Sequence, residues 1–184
     1  RNLKELIQYT QARPNQSAYS HPTTSFQLVM EWLKTRTGLQ GIHVPYQGSA
    51  PSVNAVLTGE VQMTLIDTGP IAPMLQAGKV RALAVTSDQR LANYPNVPTL
   101  KEQGVDLSVN LWSGLLAPAG TPTPIIARVQ AEVARIMAMP DVIDRMSKLD
   151  IRPVGGTPAD MAKTIASEIE LWSGVARANQ ITAQ

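Results

Sequence analysis

Three strand-to-helix junctions in this 184-residue sequence carry the residue types that hold small anions. They are Ser-His-Pro-Thr-Thr-Ser at residues 20–25, Tyr-Gln-Gly-Ser-Ala-Pro-Ser at residues 46–52 and Asp-Thr-Gly-Pro at residues 67–70. In an open parallel α/β sheet, ligands bind beyond the carboxyl ends of the strands, where the next helices begin. A helix start offers backbone N–H groups without intrahelical partners and the positive end of the helix dipole. The sequence therefore predicts a binding site for a small anion at these junctions.

The first junction adds hydroxyl groups to these backbone donors. Its candidate ligand-binding residues are Ser20, His21, Thr23, Thr24 and Ser25. Serine and threonine are also preferred helix N-caps, so Ser20 or Thr23 can instead cap the helix that follows. For any single hydroxyl both roles stay open, whereas the loop as a whole favours ligand contact.

Two further candidates follow the next predicted strands. The Asp67 carboxylate can accept a hydrogen bond from a ligand amino or hydroxyl group, or it can cap the following helix. Tyr46 can reach the same site through its hydroxyl or pack beneath the loop. Trp112 can wall a cleft or fill a hinge core. His43 lies on a predicted strand, where a structural role is the simpler interpretation.

Other kinds of chemistry find little support in the sequence. The absence of cysteine excludes disulfides, thiolate metal sites and cysteine nucleophiles. There is no hydrolase-type strand–GxSxG–helix elbow, no carboxylate pair suited to glycoside hydrolysis and no phosphate-binding GxxxxGK loop. The 16 basic and 14 acidic residues are scattered, without stacking aromatics among the basic ones, which disfavours a nucleic-acid partner. We therefore expect no enzyme activity, no cofactor, no metal site and no nucleic-acid partner.

The elements that must position these residues alternate between strand and helix. Predicted strands lie near residues 17–20, 41–44, 61–66, 80–86 and 107–112. Predicted helices begin near residues 3, 26, 50, 71 and 100. Parallel strands need helical crossovers, so this alternation predicts an α/β fold with a mostly parallel sheet flanked by helices.

The last third of the chain is mainly helical. Helices are predicted from the prolines at 122 and 124 and from Pro140, because proline is tolerated in the first helical turn. A third helix is predicted to begin at Thr157, the expected N-cap, with Asp160 three residues later, and to end near residue 178. Two short strands are predicted at residues 115–117 and 152–154.

Four segments carry a resemblance to a known family. They read "IHVPYQGSAPSVNAVLTGEVQMTLID", "LQAGKVRALAVTSDQR", "YPNVPTLKEQG" and "LWSGLLAPAGTPTPIIARVQ". In wording, order and spacing they resemble the substrate-binding proteins of tripartite tricarboxylate transporters, the Bug family. In that family a histidine is common where Gln27 stands, and His21, Pro22 and Thr23 replace residues that are usually small and flexible.

The resemblance implies a periplasmic-binding-protein fold, in which two α/β lobes close on a ligand. It implies that residues 1–112 form the second lobe. Residues 113–184 would be a helical segment that returns to complete the first lobe, whose N-terminal half is absent from this sequence. The implied function is a periplasmic receptor that captures a small carboxylate and delivers it to the membrane permease subunits of the transporter.

An alternative of another class is a ligand-sensing effector domain of a regulator or signalling protein, which can use a similar two-lobed fold. A DNA-binding domain upstream would favour that alternative, and a signal peptide upstream would favour transport. If half of the first lobe is missing, we expect residues 113–184 to expose apolar helix faces. Self-association through this segment, or a displaced and partly disordered tail, would follow.

Overall fold

The computed structural model describes residues 2–181, which form two compact units. The first unit contains residues 2–110 together with residues 175–181. The second contains residues 111–174. The change of unit after residue 110 lies close to the division expected at residue 112, but the C-terminal residues from 175 cluster with the first unit. That the two units correspond to parts of two lobes stays a prediction.

The first unit has the alternating β/α order that the sequence predicts. In chain order its elements are α1 Leu3–Gln11, β1 Ala18–His21, α2 Thr24–Thr37, β2 Ile42–Pro45, α3 Ser49–Thr58, β3 Met63–Thr64, α4 Thr68–Gln76 and a 3₁₀ turn Lys101–Gln103. The three strands form one parallel sheet in the order β2-β1-β3. Because all three strands run parallel, the helices that follow them begin at the same edge of the sheet.

Glycine ends two of these helices. Gly38 follows α2 with φ 72° and donates its N–H to the Lys34 carbonyl at 2.8 Å. Gly59 follows α3 with φ 79°. Both lie in the left-handed region that only glycine adopts at little cost, so these helix ends are encoded locally.

A single apolar core holds the first unit together. Tyr19 on β1 is 0% exposed, Leu39 and Val61 are 1% exposed, and Leu107 is 2% exposed. One face of α2 completes this core, with Phe26, Val29, Met30 and Leu33 all buried. Burying a side chain of this size contributes about 1.5–3 kcal/mol, so this core fixes β1 and α2, the two elements that flank the first junction.

Several predicted strands of the first unit are wrong or shorter in the structure. The segment at residues 80–86 forms only one isolated bridge, between Val85 and Thr99. Residues 107–112 form no strand, although the Val109 N–H donates to the Thr86 carbonyl at 2.8 Å. The strand predicted at 61–66 is reduced to Met63–Thr64. Apolar runs show where backbone is buried, but a strand also needs a paired neighbour along its length.

The second unit consists mainly of helices. These are α5 Thr123–Met137, α6 Pro140–Ser147 and the greater part of α7 Pro158–Ala178. The start of α7 confirms the predicted cap, since Asp160 N–H donates to Thr157 Oγ1 at 3.1 Å and Thr157 N–H donates to Asp160 Oδ2 at 3.0 Å. The strands predicted at residues 115–117 and 152–154 are wrong, because the described residues supply no strand to pair with them.

No residue between 111 and 174, all of which the structure describes, is buried. Large apolar side chains of α5 and the neighbouring loops are open to solvent, among them Leu116 at 80% and Ile125 at 53% exposure. The second unit therefore has helices with apolar faces but no core of its own.

None of the helices in the described part of the chain is long and apolar enough to cross a membrane.

Candidate functional site

The candidate site lies at the edge of the sheet where β1, β2 and β3 end and α2, α3 and α4 begin. None of these three helices has a side-chain hydrogen bond at its N-cap, and none has an acidic residue in its first turn. Asn2 caps α1 and Thr157 pairs with Asp160 at α7, whereas α5 and α6 in the second unit also lack a side-chain cap. The uncapped starts leave backbone N–H groups available to a bound acceptor.

Thr23 is the N-cap residue of α2, and only its backbone acts as a cap. The N–H groups of Phe26 and Gln27 donate to the Thr23 carbonyl at 3.1 and 3.3 Å, while the Thr23 side chain makes no capping bond. Thr23, Thr24 and Ser25 are all exposed. Their hydroxyls therefore remain available beside the helix start, as the ligand-contact interpretation requires.

His21 is the last residue of β1 and is only 4% exposed. Its Nδ1 lies 3.1 Å from the Thr23 carbonyl oxygen. Its ring lies 5.9 Å, centroid to centroid, from the rings of Tyr19 and His43. Burial lowers the pKa of His21, although the bond to Thr23 and the charge of Glu31 act in the opposite direction. The imidazole is thus biased towards its neutral form.

A pocket of about 400 Å³ opens beside this histidine, within the first unit. It is lined by the predicted residues His21, Thr23, Thr24 and Tyr46, together with Pro22, Gln27, Glu31, His43, Pro45, Asn179, Gln180 and Ile181. The pocket therefore brings together four of the seven residues predicted to bind ligand.

The Glu31 carboxylate in the pocket wall already has hydrogen-bond donors within the protein. Glu31 Oε1 accepts hydrogen bonds from the Tyr19 hydroxyl at 2.6 Å and from Lys34 Nζ at 2.8 Å. Lys34 also donates to the Gly41 carbonyl at 2.9 Å. Since a cation neutralises Glu31 at contact distance, this carboxylate opposes an incoming anion much less than a free one would.

Tyr46 follows β2, and its N–H donates to the His21 carbonyl at 3.1 Å. The phenol oxygen is shielded from solvent. A hydrogen bond to the Glu60 carboxylate, together with partial burial, raises the pKa of Tyr46. The phenol therefore keeps its proton and has an acceptor within the protein.

Ser20 has a different environment from the other predicted residues. It is 0% exposed, and its hydroxyl donates to the Ser52 carbonyl at 3.0 Å. Ser52 Oγ donates to Ser20 Oγ at 2.9 Å, and Thr64 Oγ1 donates to the Ser20 carbonyl at 3.1 Å. This buried network ties β1, α3 and β3 together beneath the junctions. The predicted ligand contact of Ser20 stays a prediction, and the position of the side chain favours a supporting role.

Asp67 occupies the N-cap position of α4 with φ −62° and ψ 151°, but its carboxylate does not cap the helix. The residue is exposed, and partial burial of the carboxyl group raises its pKa. The capping alternative is therefore not realised in this structure, which leaves the carboxylate free to contact a ligand. Trp112 belongs to the second unit and is 44% exposed.

Several residues of the site were not predicted to bind ligand. His43, Glu31 and Asn179 line the pocket, and Ser52 and Thr64 form the hydroxyl network beneath it. A signal for His43 and Glu31 exists in the sequence, because polar residues interrupt otherwise apolar strand and helix patterns there. No local pattern connects Asn179 with β1. No cluster of metal-ligating side chains occurs within residues 2–181.

Comparison with known proteins assigns the chain to a family. The sequence profile of the tripartite tricarboxylate transporter family receptor matches residues 1–181. The chain belongs to this family. The resemblance found in the sequence, and the Bug relationship with it, is therefore confirmed.

One of the relatives is Protein BugT of Bordetella pertussis, which is 31% identical over 179 residues. The match covers 96% of this chain and 55% of BugT. The chain spans about half the length of the curated relatives that it matches.

Solved structures of the family confirm the fold class. A protein of R. palustris determined with adipate superposes with a TM-score of 0.89 at 32% identity, over 97% of this chain and 61% of that one. MatC from Rhodopseudomonas palustris, determined with bound malate, gives a TM-score of 0.81 at 28% identity, over 95% of this chain and 62% of MatC. The parallel sheet flanked by helices is thus part of a periplasmic-binding-protein fold.

Proposed function

We propose that the protein containing this chain is a periplasmic receptor that captures a small carboxylate and delivers it to the permease subunits of a tripartite tricarboxylate transporter. The observation that carries the proposal is the edge of the sheet at which α2, α3 and α4 all begin without side-chain caps or first-turn acids. Family membership supports it, since the related structures hold adipate and malate.

The electrostatics of this edge suit an anion. Each helix start carries the equivalent of about half a positive charge from the aligned peptide dipoles. Backbone N–H groups at such starts bind carboxylates and phosphates without further side chains. Lys34 neutralises Glu31 in the pocket wall, so that carboxylate offsets the helix starts only weakly.

The side chains take distinct roles in this proposal. The hydroxyls of Thr23, Thr24 and Ser25 donate to a ligand carboxylate together with the backbone at the start of α2. Asp67 accepts from a ligand hydroxyl or amino group. Ser20 holds the strand ends in place from below. Residues 1–112 would contribute one lobe of the receptor, and residues 113–184 would complete the other.

The proposal is of a receptor and not of an enzyme. The family is defined as a family of receptors. Within the described residues, no serine or threonine hydroxyl of the site is hydrogen-bonded to a histidine or a carboxylate that could serve as its base. A ligand bound at this edge would be held and released unchanged.

Calorimetry on the complete gene product that contains this chain tests the proposal. Dicarboxylates, aromatic acids and acidic amino acids form the panel. We expect at least one to bind and to be recovered unaltered. Absence of binding by every acid, or steady conversion of one of them, would contradict the proposal.

The matched variants Thr24→Val and Thr58→Val locate the site. Thr58 lies at the other end of α3, about 14 Å along the helix from its first residue. A hydrogen bond to a charged group is worth about 1.5–3 kcal/mol, so Thr24→Val should lower the affinity for the tightest-binding acid about tenfold or more. Thr58→Val should leave its affinity unchanged. Equal effects of the two variants would contradict the placement of the ligand at the start of α2.

A further inference from the structure

The Nε2 atom of His21 is buried in the wall of the pocket without a hydrogen-bond partner among the described residues. The other ring nitrogen, Nδ1, lies 3.1 Å from the Thr23 carbonyl oxygen, which can only accept a hydrogen bond, so Nδ1 carries a proton. In the neutral ring, Nε2 is then a lone-pair acceptor. Burial lowers the pKa of His21, which favours this neutral ring. Before a ligand binds, the pocket wall therefore presents a bare acceptor.

A bare acceptor is a poor neighbour for the anion that the proposed function places in the pocket. An ionised carboxylate has acceptor atoms only, so its oxygens and the lone pair of Nε2 cannot form a hydrogen bond. A proton on Nε2 reverses this relation, because the imidazolium can donate to the carboxylate in a charge-assisted bond. The same proton would give Nε2 the partner that buried polar atoms normally have.

The described residues that line the pocket supply no free positive charge. None of them is a lysine or an arginine. The nearby Lys34 is held by the Glu31 carboxylate at 2.8 Å and by the Gly41 carbonyl at 2.9 Å. The start of α2 contributes only a partial charge. Among the described residues, a histidine that takes up a proton is therefore the source of a full counter-charge for a bound carboxylate.

The two histidines of the sequence both line this pocket, but their environments differ. The rings of His21 and His43 lie 5.9 Å apart, centroid to centroid. His43 is exposed, so solvent screens its charge. His21 is only 4% exposed, and its bond to the Thr23 carbonyl holds it beside the first residues of α2. A charge on His21 is therefore screened less and acts more strongly on a ligand at this helix start.

The ionisable groups around the His21 ring lie on β1, α2, β2 and the loop that follows β2. They are Tyr19, Glu31, His43, and Tyr46 with its acceptor Glu60. The helix α3 and the strand β3, which also pack against β1, have no ionisable side chain. Burial and the charge of His43 lower the pKa of His21, whereas the charge of Glu31 raises it. A bound carboxylate would add a second negative charge and move this balance towards the protonated ring.

We propose that His21 takes up a proton at Nε2 when a carboxylate binds at the start of α2, so that the imidazolium and the bound acid form an ion pair. The proton comes from the solvent and returns to it when the acid leaves. This inference rests on the proposed carboxylate binding and adds its dependence on pH. His21 stands where the resemblance leads one to expect a small residue, so the proton uptake belongs to this chain and not to the family in general.

The direction of the pH dependence follows from the two states of His21. The free protein has the lower pKa for His21, and the complex has the higher one. The affinity should therefore rise as the pH falls through the pKa of the complex, and level off below the pKa of the free protein. Between the two pKa values, binding should take up a fraction of a proton that approaches one.

Calorimetry on the complete gene product measures this proton. The probes are fumarate, benzoate and glutamate, one from each class of acid in the panel above, and any other member that binds is treated in the same way. Each titration is run in two buffers that differ in ionisation enthalpy, which gives the number of protons taken up. We expect net uptake, and binding at least about threefold tighter at about pH 5.5 than at about pH 7.5.

Matched variants of the two histidines assign the proton. His21→Asn keeps a donor near the position of Nδ1 and removes Nε2, so the uptake and most of the pH dependence should disappear. His43→Asn makes the same change at the exposed neighbour and should keep most of both. A cooperative thermal transition shows that a variant still folds. In the wild-type protein, NMR follows the His21 ring directly, and its pKa should rise when the acid is added.

The outcomes are distinguishable. If no acid of the panel binds, the proposed function fails and this inference fails with it. If acids bind without proton uptake, or with proton release, only the inference is overturned. Uptake that persists in His21→Asn, or that is lost in His43→Asn instead, would assign the proton to another group and overturn the role of His21. If His21→Asn does not fold, a pKa of the wild-type His21 ring that stays constant when the acid is added would overturn it.

Discussion

The two compact units have similar apolar content in their helices but use it differently. In the first unit, α2 buries Phe26, Val29, Met30 and Leu33 against a parallel sheet. In the second, α5 leaves Ile125, Val129 and Ile136 between 39% and 53% exposed. An amphipathic helix indicates that a partner surface exists, but it does not say which residues supply that surface. In the first unit, the sheet supplies the surface against which α2 packs. In the second unit, the described residues supply no such surface for α5.

This difference supports the proposal that residues 113–184 complete a lobe begun by other residues. The candidate site follows the same division, since its predicted ligand-binding residues all belong to the first unit. A precise site needs rigid support, and only the unit with a buried core provides it.

The largest expected effect comes from a matched pair of leucines. Leu107 in the first unit is 2% exposed, and Leu116 in the second is 80% exposed. In the 184-residue chain, Leu107→Ala should lower the free energy of unfolding by about 2–5 kcal/mol. Leu116→Ala should change it by no more than about 0.5 kcal/mol. Urea denaturation measures both values.

The same pair sharpens the comparison in the complete gene product. If other residues cover the second unit there, Leu116→Ala should become costly, by about 2 kcal/mol or more. A Leu116→Ala variant that stays neutral in both forms of the protein would show that Leu116 is a surface residue, and would weaken the proposed completion of a lobe.

Self-association of the 184-residue chain is the next largest effect. Ile125 and Val129 lie on the apolar face of α5. Because burying one such side chain contributes about 1.5–3 kcal/mol, changing both to glutamate should raise the dissociation constant of any self-associated form at least about tenfold. Analytical ultracentrifugation at rising concentration provides the measurement.

The control is Ala127→Glu with Ala131→Glu, which adds the same charge to the same helix. These exposed alanines are two positions away from the apolar pair and point to another side of α5. They should leave association unchanged. A wild-type chain that remains a compact monomer at high concentration would contradict this prediction.

Asp67→Asn tests the exposed acid at the third junction. The substitution keeps the size of the side chain and removes its charge. If Asp67 accepts from a ligand, the affinity of the best ligand should fall by about 1.5–3 kcal/mol, measured by calorimetry on the complete gene product. An unchanged affinity would leave Asp67 without a role in binding.

The stability of the ligand-free Asp67→Asn variant should not fall at neutral pH. Burial raises the pKa of this carboxyl group, so its ionised form is slightly unfavourable in the fold. That penalty is absent below the unfolded pKa and develops as the pH rises through the folded value. Wild type should therefore lose a little stability relative to Asp67→Asn over that pH range, which thermal denaturation at several pH values would detect.

The smallest effects compare two serines of the first junction. Ser20 is buried within a hydroxyl network, and Ser25 is exposed at the start of α2. Ser20→Ala should cost about 1 kcal/mol of stability. Ser25→Ala should leave stability within about 0.5 kcal/mol and weaken carboxylate binding. If Ser20→Ala weakened binding without lowering stability, Ser20 would join the contact residues.

The sequence by itself determined the features that depend on neighbouring residues. Glycine at positions 38 and 59 ends helices because a left-handed backbone costs it little, and Thr157 with Asp160 caps a helix within one turn. The β/α alternation sets the parallel sheet, since parallel neighbours cannot be joined by a hairpin. The prediction of a site at the helix starts follows from the same reasoning.

Only the tertiary structure decided features that depend on residues far apart in the chain. Ser20 and Thr24 look alike as hydroxyls in one loop. The Ser20 hydroxyl, however, donates to the carbonyl of Ser52, 32 positions further along the chain, and is buried there. The apolar run at residues 80–86 has the composition of a strand, but only Val85 is bridged to a neighbouring segment. Asn179 lines the pocket beside β1, which no local pattern could indicate. Strand pairing, burial and side-chain orientation depend on which distant residues pack against a segment. They are therefore decided by the tertiary structure.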